Sequence, residues 1–157
     1  MRLQAVVAGL FAICVCIEAC YYPDANRIPG CREALANLFP RPPAVRESLF
    51  AALPVERQYN VFLCGTHAVE PPLLGFADIL ARSGQPVASL LVGKLDSMPD
   101  DAVVADITLI VEAMNRQHSY AVSSDTSLMR AVNRAINAMR DSTWRRVAMR
   151  NFREVQQ

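Results

Sequence analysis

The 157-residue sequence predicts an all-α fold, a small array of antiparallel helices. Three observations carry this: apolar residues recur at helical spacing, prolines and glycines fall between the apolar stripes, and no long stretch alternates with period two. The clearest stripe is in residues 100–115. There Val103, Val104, Ile107, Ile110, Val111 and Met114 share one side of a helix, while Asp106, Thr108 and Glu112 lie off its centre. A stripe that wide has to be buried. Val87, Leu90, Leu91 and Leu95 in the preceding segment, and Leu73, Phe76, Ile79 and Leu80 before that, have matching spacing, so three helices can close on a common core.

In chain order, residues 3–17 (LQAVVAGLFAICVCI) follow Met1 and Arg2 and carry no charge. The run is shorter than the roughly 20 residues a spanning helix needs, and one basic flank before an apolar centre is the pattern of a secretory signal. We therefore read residues 1–19 as a signal segment. Residues 20–30, with two prolines, a glycine and no periodicity, read as a tether, and residues 31–157 as one helical domain. Apolar residues make up 52% of the chain, enough to close a sizeable core without metals.

Within the domain, residues 31–39 predict a short helix ended by Pro40, and Pro43 opens a second through Val45, Leu49, Phe50 and Leu53. Val55, Tyr59, Phe62 and Leu63 predict a third, with Gly65 as its stop signal. Pro71 or Pro72 then opens the helix of Leu73 and Phe76, which Gly84 stops. Pro86 opens the next, and Pro99-Asp100-Asp101 opens the strongest, with acidic residues where the helix dipole favours them. Serines near Asp125 suit the cap of a helix bearing Leu128, Val132, Ala135, Ile136 and Met139. A last helix from about Thr143 sets Trp144, Ala148, Phe152 and Val155 on one side and Arg146, Arg150 and Arg153 on the other.

Two resemblances are carried by these residues. The stretch PPLLGFADILARSGQPVASLLVGKL, a helix, a glycine-containing turn and a leucine-rich helix, resembles one unit of a HEAT-type repeat, with a partial second in residues 100–140. The resemblance implies a partly HEAT-like array that binds partners. The wider string from Tyr59 through Cys64, Pro71, Gly75, Asp78 and Gly84 to Leu95 resembles small exported bacterial lipoprotein-like proteins of uncharacterised function, which supply no catalytic residue to carry over. Ile17-Glu18-Ala19-Cys20 resembles a lipobox, from which Glu18 departs. The resemblance implies lipid on Cys20 and anchoring at the outer membrane. Cleavage elsewhere and an uncleaved anchor stand beside it.

Export also frames the cysteines. Cys14 and Cys16 belong to the signal and Cys20 to the lipobox, which leaves Cys31 and Cys64 as one pair. A disulfide and two buried thiols are both compatible with the sequence. Cys64 and His67, three apart, meet the minimum for a thiol nucleophile, without the further Asn or Asp of a family signature. Two distant histidines and no paired Cys-x-x-Cys give a structural metal site nothing to be built from, and the scattered glycines make no phosphate loop. No cofactor is expected. Asp78, Asp96, Asp100 and Asp101 sit where capping and solvation explain them.

A net charge of +1 gives no basic balance pointing to nucleic acid. The densest charge cluster is Arg140, Arg145, Arg146, Arg150 and Arg153. It reads either as a solvated helix face or as a surface for anionic lipid or an acidic partner. The expected function is therefore an exported protein-binding module, membrane-anchored where Cys20 carries lipid, with an immunity-type inhibitor of the periplasm and a thiol-dependent enzyme using Cys64 and His67 as the alternatives.

Overall fold

The computed structural model describes residues 27–156, so the expected signal segment, Cys20 and most of the expected tether lie outside the described residues. The all-helical expectation holds. The described chain forms α1 (Cys31–Asn37), α2 (Pro43–Ala51), α3 (Val55–His67), α4 (Phe76–Ala81), α5 (Gln85–Asp96), α6 (Asp101–Arg116), α7 (Thr126–Ala138) and α8 (Ser142–Arg153). A 3-10 turn at Val122–Ser124 precedes α7. Among the described residues no helix is long and apolar enough to cross a membrane.

Every helix but α3, whose broadest contact is with α4, packs chiefly on its next-but-one neighbour. The even helices α2, α4, α6 and α8 make one layer and the odd helices α1, α3, α5 and α7 the other, with α6 against α8, α4 against α6 and α5 against α7 as the broadest contacts. Bonds across α6 and α8 show their direction. Asp101 at the start of α6 accepts from the Arg140 backbone N–H just before α8, at 2.8 Å, and Asn115 near its end donates to the Glu154 carbonyl just after α8, at 3.3 Å. Both pairs are 39 residues apart, so the two helices run parallel in one register. Three ion pairs between stacked helices, Glu56–Lys94, Asp78–Arg116 and Asp96–Arg134, each join residues 38 apart.

The position of α6 between α4 and α8 changes the reading of its polar side. Ile107 and Ile110 are fully buried as the stripe requires, but Asp106, Thr108 and Glu112 are buried as well. A helix flanked on two sides has little solvent face left, and its polar groups are satisfied internally. Thr108 donates to the Ala105 carbonyl at 2.7 Å, and Glu112 pairs with Arg116, which also reaches Asp78.

One glycine acts differently from the expectation and one as expected. Gly65 does not stop α3, which continues to His67. A Cβ there would stand 3.2 Å from the Leu73 Cβ, and the Leu73 N–H donates to the Gly65 carbonyl at 2.9 Å, so its small size admits the returning chain. That bond holds Leu73 outside α4, which begins only at Phe76; neither Pro71 nor Pro72 opens it, and Leu74 is left exposed rather than in the core. Gly84 separates α4 from α5 as expected, at φ +59°, with the Ser119 carbonyl oxygen 2.8 Å from where a Cβ would stand. Both backbone and space exclude a side chain.

At the N-terminal end, Cys31 and Cys64 are joined by a disulfide with Cα atoms 5.3 Å apart, tying α1 to α3. Phe50 of α2 stacks on Phe76 of α4 at 4.1 Å between ring centroids. The end of the expected tether belongs to the domain, because Ile28 packs against the core and the Gly30 carbonyl accepts from the Ala34 N–H at 3.0 Å.

Candidate functional site

The helix ends collect around a groove of about 1280 Å³. Its walls come from His67 at the end of α3, Leu95 at the end of α5, Met98 in the following loop, Val104 of α6, Met139 after α7 and Trp144 in the first turn of α8. Leu95, Met98 and Val104 are neighbours in sequence, as are Met139 and Trp144, but only the stacking brings these two groups and His67 together.

Local chemistry fixes the groove's rim. Asp101 turns its carboxylate to the next unit, where one oxygen accepts from the backbone N–H groups of Arg140 and Asp141 at 2.8 and 2.6 Å. Asp141 in turn caps α8, accepting from Thr143 and Trp144 N–H at 2.7 and 3.1 Å. The backbone of Trp144 is thereby anchored to α6 through two carboxylates. Asp96 pairs with Arg134 across α5 and α7. Asp100, the residue before α6, makes no side-chain cap, and Met98 beside it is 86% exposed at a left-handed φ of +52°. An unbranched apolar side chain held outward in a conformation that disfavours it is a local strain retained at the groove mouth.

Behind the groove lies a buried polar seam between α3 and α6. His67 Nε2 stands 2.6 Å from Asp106 Oδ2, and the Thr66 hydroxyl lies 3.1 Å from the same oxygen and 3.0 Å from the Leu63 carbonyl. The ring nitrogen approaches outside the directional range of a well-formed N–H bond, so the contact is a close approach rather than an aligned hydrogen bond. Burial, then the Asp106 and Glu56 charges, pushes the Tyr59 hydroxyl well above its ordinary range and keeps it neutral.

These contacts place the sequence candidates. Cys64 and His67 occupy the same helix, but the Cys64 sulfur is bonded to Cys31 and the His67 ring is engaged with Asp106, so no thiol stands ready beside an imidazole base. Asp78, Asp96 and Asp101 hold neighbouring helices together. Among the described residues no cluster of three or more His, Cys, Asp or Glu side chains suits a metal ion.

The basic cluster divides in two. Arg145 donates to the Asn137 carbonyl at 3.1 Å and also to the Met139 carbonyl, closing the end of α7. Arg146, Arg150 and Arg153 are exposed on α8, at positions i, i+4 and i+7, and none forms an ion pair with the described residues. Residues 125–156 hold seven arginines against three carboxylates, whereas residues 27–124 hold eight basic residues against ten acidic ones. Charge is thus segregated along the array.

The groove and the polar seam were not legible as sites in the sequence. The signal that leads toward them is the recurrence of opposite charges 38 residues apart, at Glu56 and Lys94, Asp78 and Arg116, and Asp96 and Arg134. No family model matches the chain, and neither a curated protein nor a solved structure is matched.

Proposed function

We propose that the chain is an exported helical interaction module, tethered to a membrane through lipid on Cys20, that binds an acidic protein surface with the outer face of α8. The observation that carries the reading is the row Arg146, Arg150 and Arg153, exposed and without ion-pair partners among the described residues. The same helix buries Ala148 and Phe152, and Val155 is buried just after its end, so the guanidinium groups are presented on a fixed support. Rigid support lowers the ordering cost of binding. The next-but-one stacking and the separations of 38 to 40 residues support a HEAT-like array, a form whose repetition builds extended binding surfaces. The apolar run of residues 3–17 and the lipobox-like Ile17-Glu18-Ala19-Cys20 support export and lipidation.

The test compares the native protein with the Arg146→Glu/Arg150→Glu/Arg153→Glu variant, using a glutamate-rich peptide and phosphatidylglycerol vesicles at two ionic strengths. The peptide is expected to bind the native protein, to lose affinity by about tenfold or more in the variant, and to weaken as salt rises. Binding to vesicles alone would transfer the face to lipid, and unchanged affinity in the variant would leave it a solvated surface. Mass spectrometry of the mature N-terminus tests the anchor, which predicts a diacylated Cys20.

A further inference from the structure

Helices α2 and α8 close the even layer at opposite ends, and the two ends differ in chemistry. The terminal helix of a stacked array has no neighbour on its outer side, so that side is ordinarily polar. In α8 it is: Arg146, Arg150 and Arg153 share it with one exposed apolar side chain, Met149. In α2 it is not. Of its nine residues this helix buries only Phe50, which stacks on Phe76 of α4. Val45 and Leu49, one turn apart and more than a quarter circle from Phe50 around the helix, are 47% and 46% exposed. We propose that this outer face of α2 rests on an anionic lipid surface, so that the array stands on the membrane by its α2 end and offers α8 away from it. The inference rests on the lipid anchor proposed at Cys20.

The apolar surface does not stop at α2. Leu49 borders a shallow groove of about 170 Å³ whose other apolar walls are Leu38 of α1, Leu53 after α2 and Val61 of α3. The chain enters the fold beside it, because a Cβ on Gly30 would stand 2.7 Å from the Arg57 guanidinium, and Arg57 lines the same groove. Cys20 precedes Arg27 by seven residues, a reach of at most about 25 Å, so an acylated Cys20 holds this end of the array close to the bilayer.

Charge agrees with that placement. Residues 27–54 hold four arginines against two glutamates, whereas residues 55–124 hold four basic residues against eight acidic ones. Anionic headgroups therefore attract the α1–α2 end and repel the middle of the array. The α8 end is more basic still, but it offers a single exposed methionine and lies at the far end of the layer from the chain's entry. An apolar face joined to net positive charge is the combination by which a helix lies in a membrane interface. A second copy or a protein partner would cover Val45 and Leu49 as well, and neither accounts for the short link to Cys20.

The full-length chain, as matured in the expressing cell, would carry either Leu49→Trp or Met149→Trp, with the emission of the native protein's Trp144 as the baseline. Each is mixed with vesicles of phosphatidylglycerol and phosphatidylethanolamine whose acyl chains are brominated near the headgroup. The indole at position 49 is expected to lose about half of its emission or more, and the one at position 149 less than about a tenth. Adding Val45→Glu should cut the quenching at position 49 by about twofold or more without lowering the melting temperature, because the site is exposed. Adding Arg146→Glu/Arg150→Glu/Arg153→Glu should leave that quenching within about a fifth, which separates this face from α8. No quenching at position 49, or quenching at position 149 instead, would overturn the proposal. So would an indole at position 49 that is shielded from iodide before vesicles are added, since the chain itself or a second copy would then cover α2. Mass spectrometry of the N-terminus keeps the anchor and the face apart. Quenching at position 49 with Cys20 unmodified would support the face and remove the anchor, and acylated Cys20 without quenching would keep the anchor and remove the face.

Discussion

Asp125 shows how one side chain sets the start of an element and gives it a pH dependence. Its carboxylate accepts from Ser127 and Leu128 N–H at 2.9 and 3.0 Å and from the Tyr120 hydroxyl at 2.8 Å. The bond from Leu128, reinforced by those from Tyr120 and Ser127, holds its pKa below the ordinary 3.8. A lowered folded-state pKa means stability that is present above the unfolded value and lost as pH falls through the folded one. We expect Asp125→Ala to cost about 1 kcal/mol near neutral pH, as for other N-caps. The gap from the native protein should narrow once the pH drops below the ordinary carboxylate range. Urea unfolding across a pH series measures this, and a gap that stays constant into acid would refute the linkage.

At the scale of the element, α6 decides the core. Its apolar stripe faces both layers, and its polar residues are enclosed because α4 and α8 flank it. Ile107 is fully buried, so Ile107→Ala removes transfer free energy and leaves a cavity; we expect a loss of about 2 to 5 kcal/mol. A change below about 0.5 kcal/mol, the usual range for surface positions, would mean that the site is not enclosed. Helix α8 illustrates the opposite balance. Ala148, Phe152 and Val155 dock it, while its arginine row is left for solvent or a partner.

Across the whole molecule, stacking makes each helix depend on its neighbours, and the first helix is the least supported. Helix α1 has seven residues, leaves Leu35 exposed and is pinned by the disulfide to α3. The bridge joins residues 33 apart, and removing it frees that loop in the unfolded chain. Replacing Cys31 and Cys64 together by alanine should cost about 2 to 4 kcal/mol in the loop-entropy picture. Amide exchange should rise first in α1, while α6 to α8 stay protected. A uniform loss of protection would contradict the idea that α1 is a separately pinned end.

What the sequence by itself determined is local: helix identity from the spacing of Ile107, Ile110 and Met114, breaks from Pro40, Gly84 and Pro86, and the exposed row Arg146, Arg150 and Arg153 from its phase against Phe152 and Val155. Periodicity and backbone stereochemistry act within a few residues, so they can be read without knowing the partners. The tertiary structure alone decided what lies between elements. It buried Asp106 against His67, paired charges 38 residues apart, carried Gly65 inside a helix to admit Leu73, and gathered Met98 and Trp144 around one groove. Those outcomes depend on which helix faces share a neighbour, and a polar residue just off an apolar stripe is exposed or enclosed according to whether a second helix arrives to cover it.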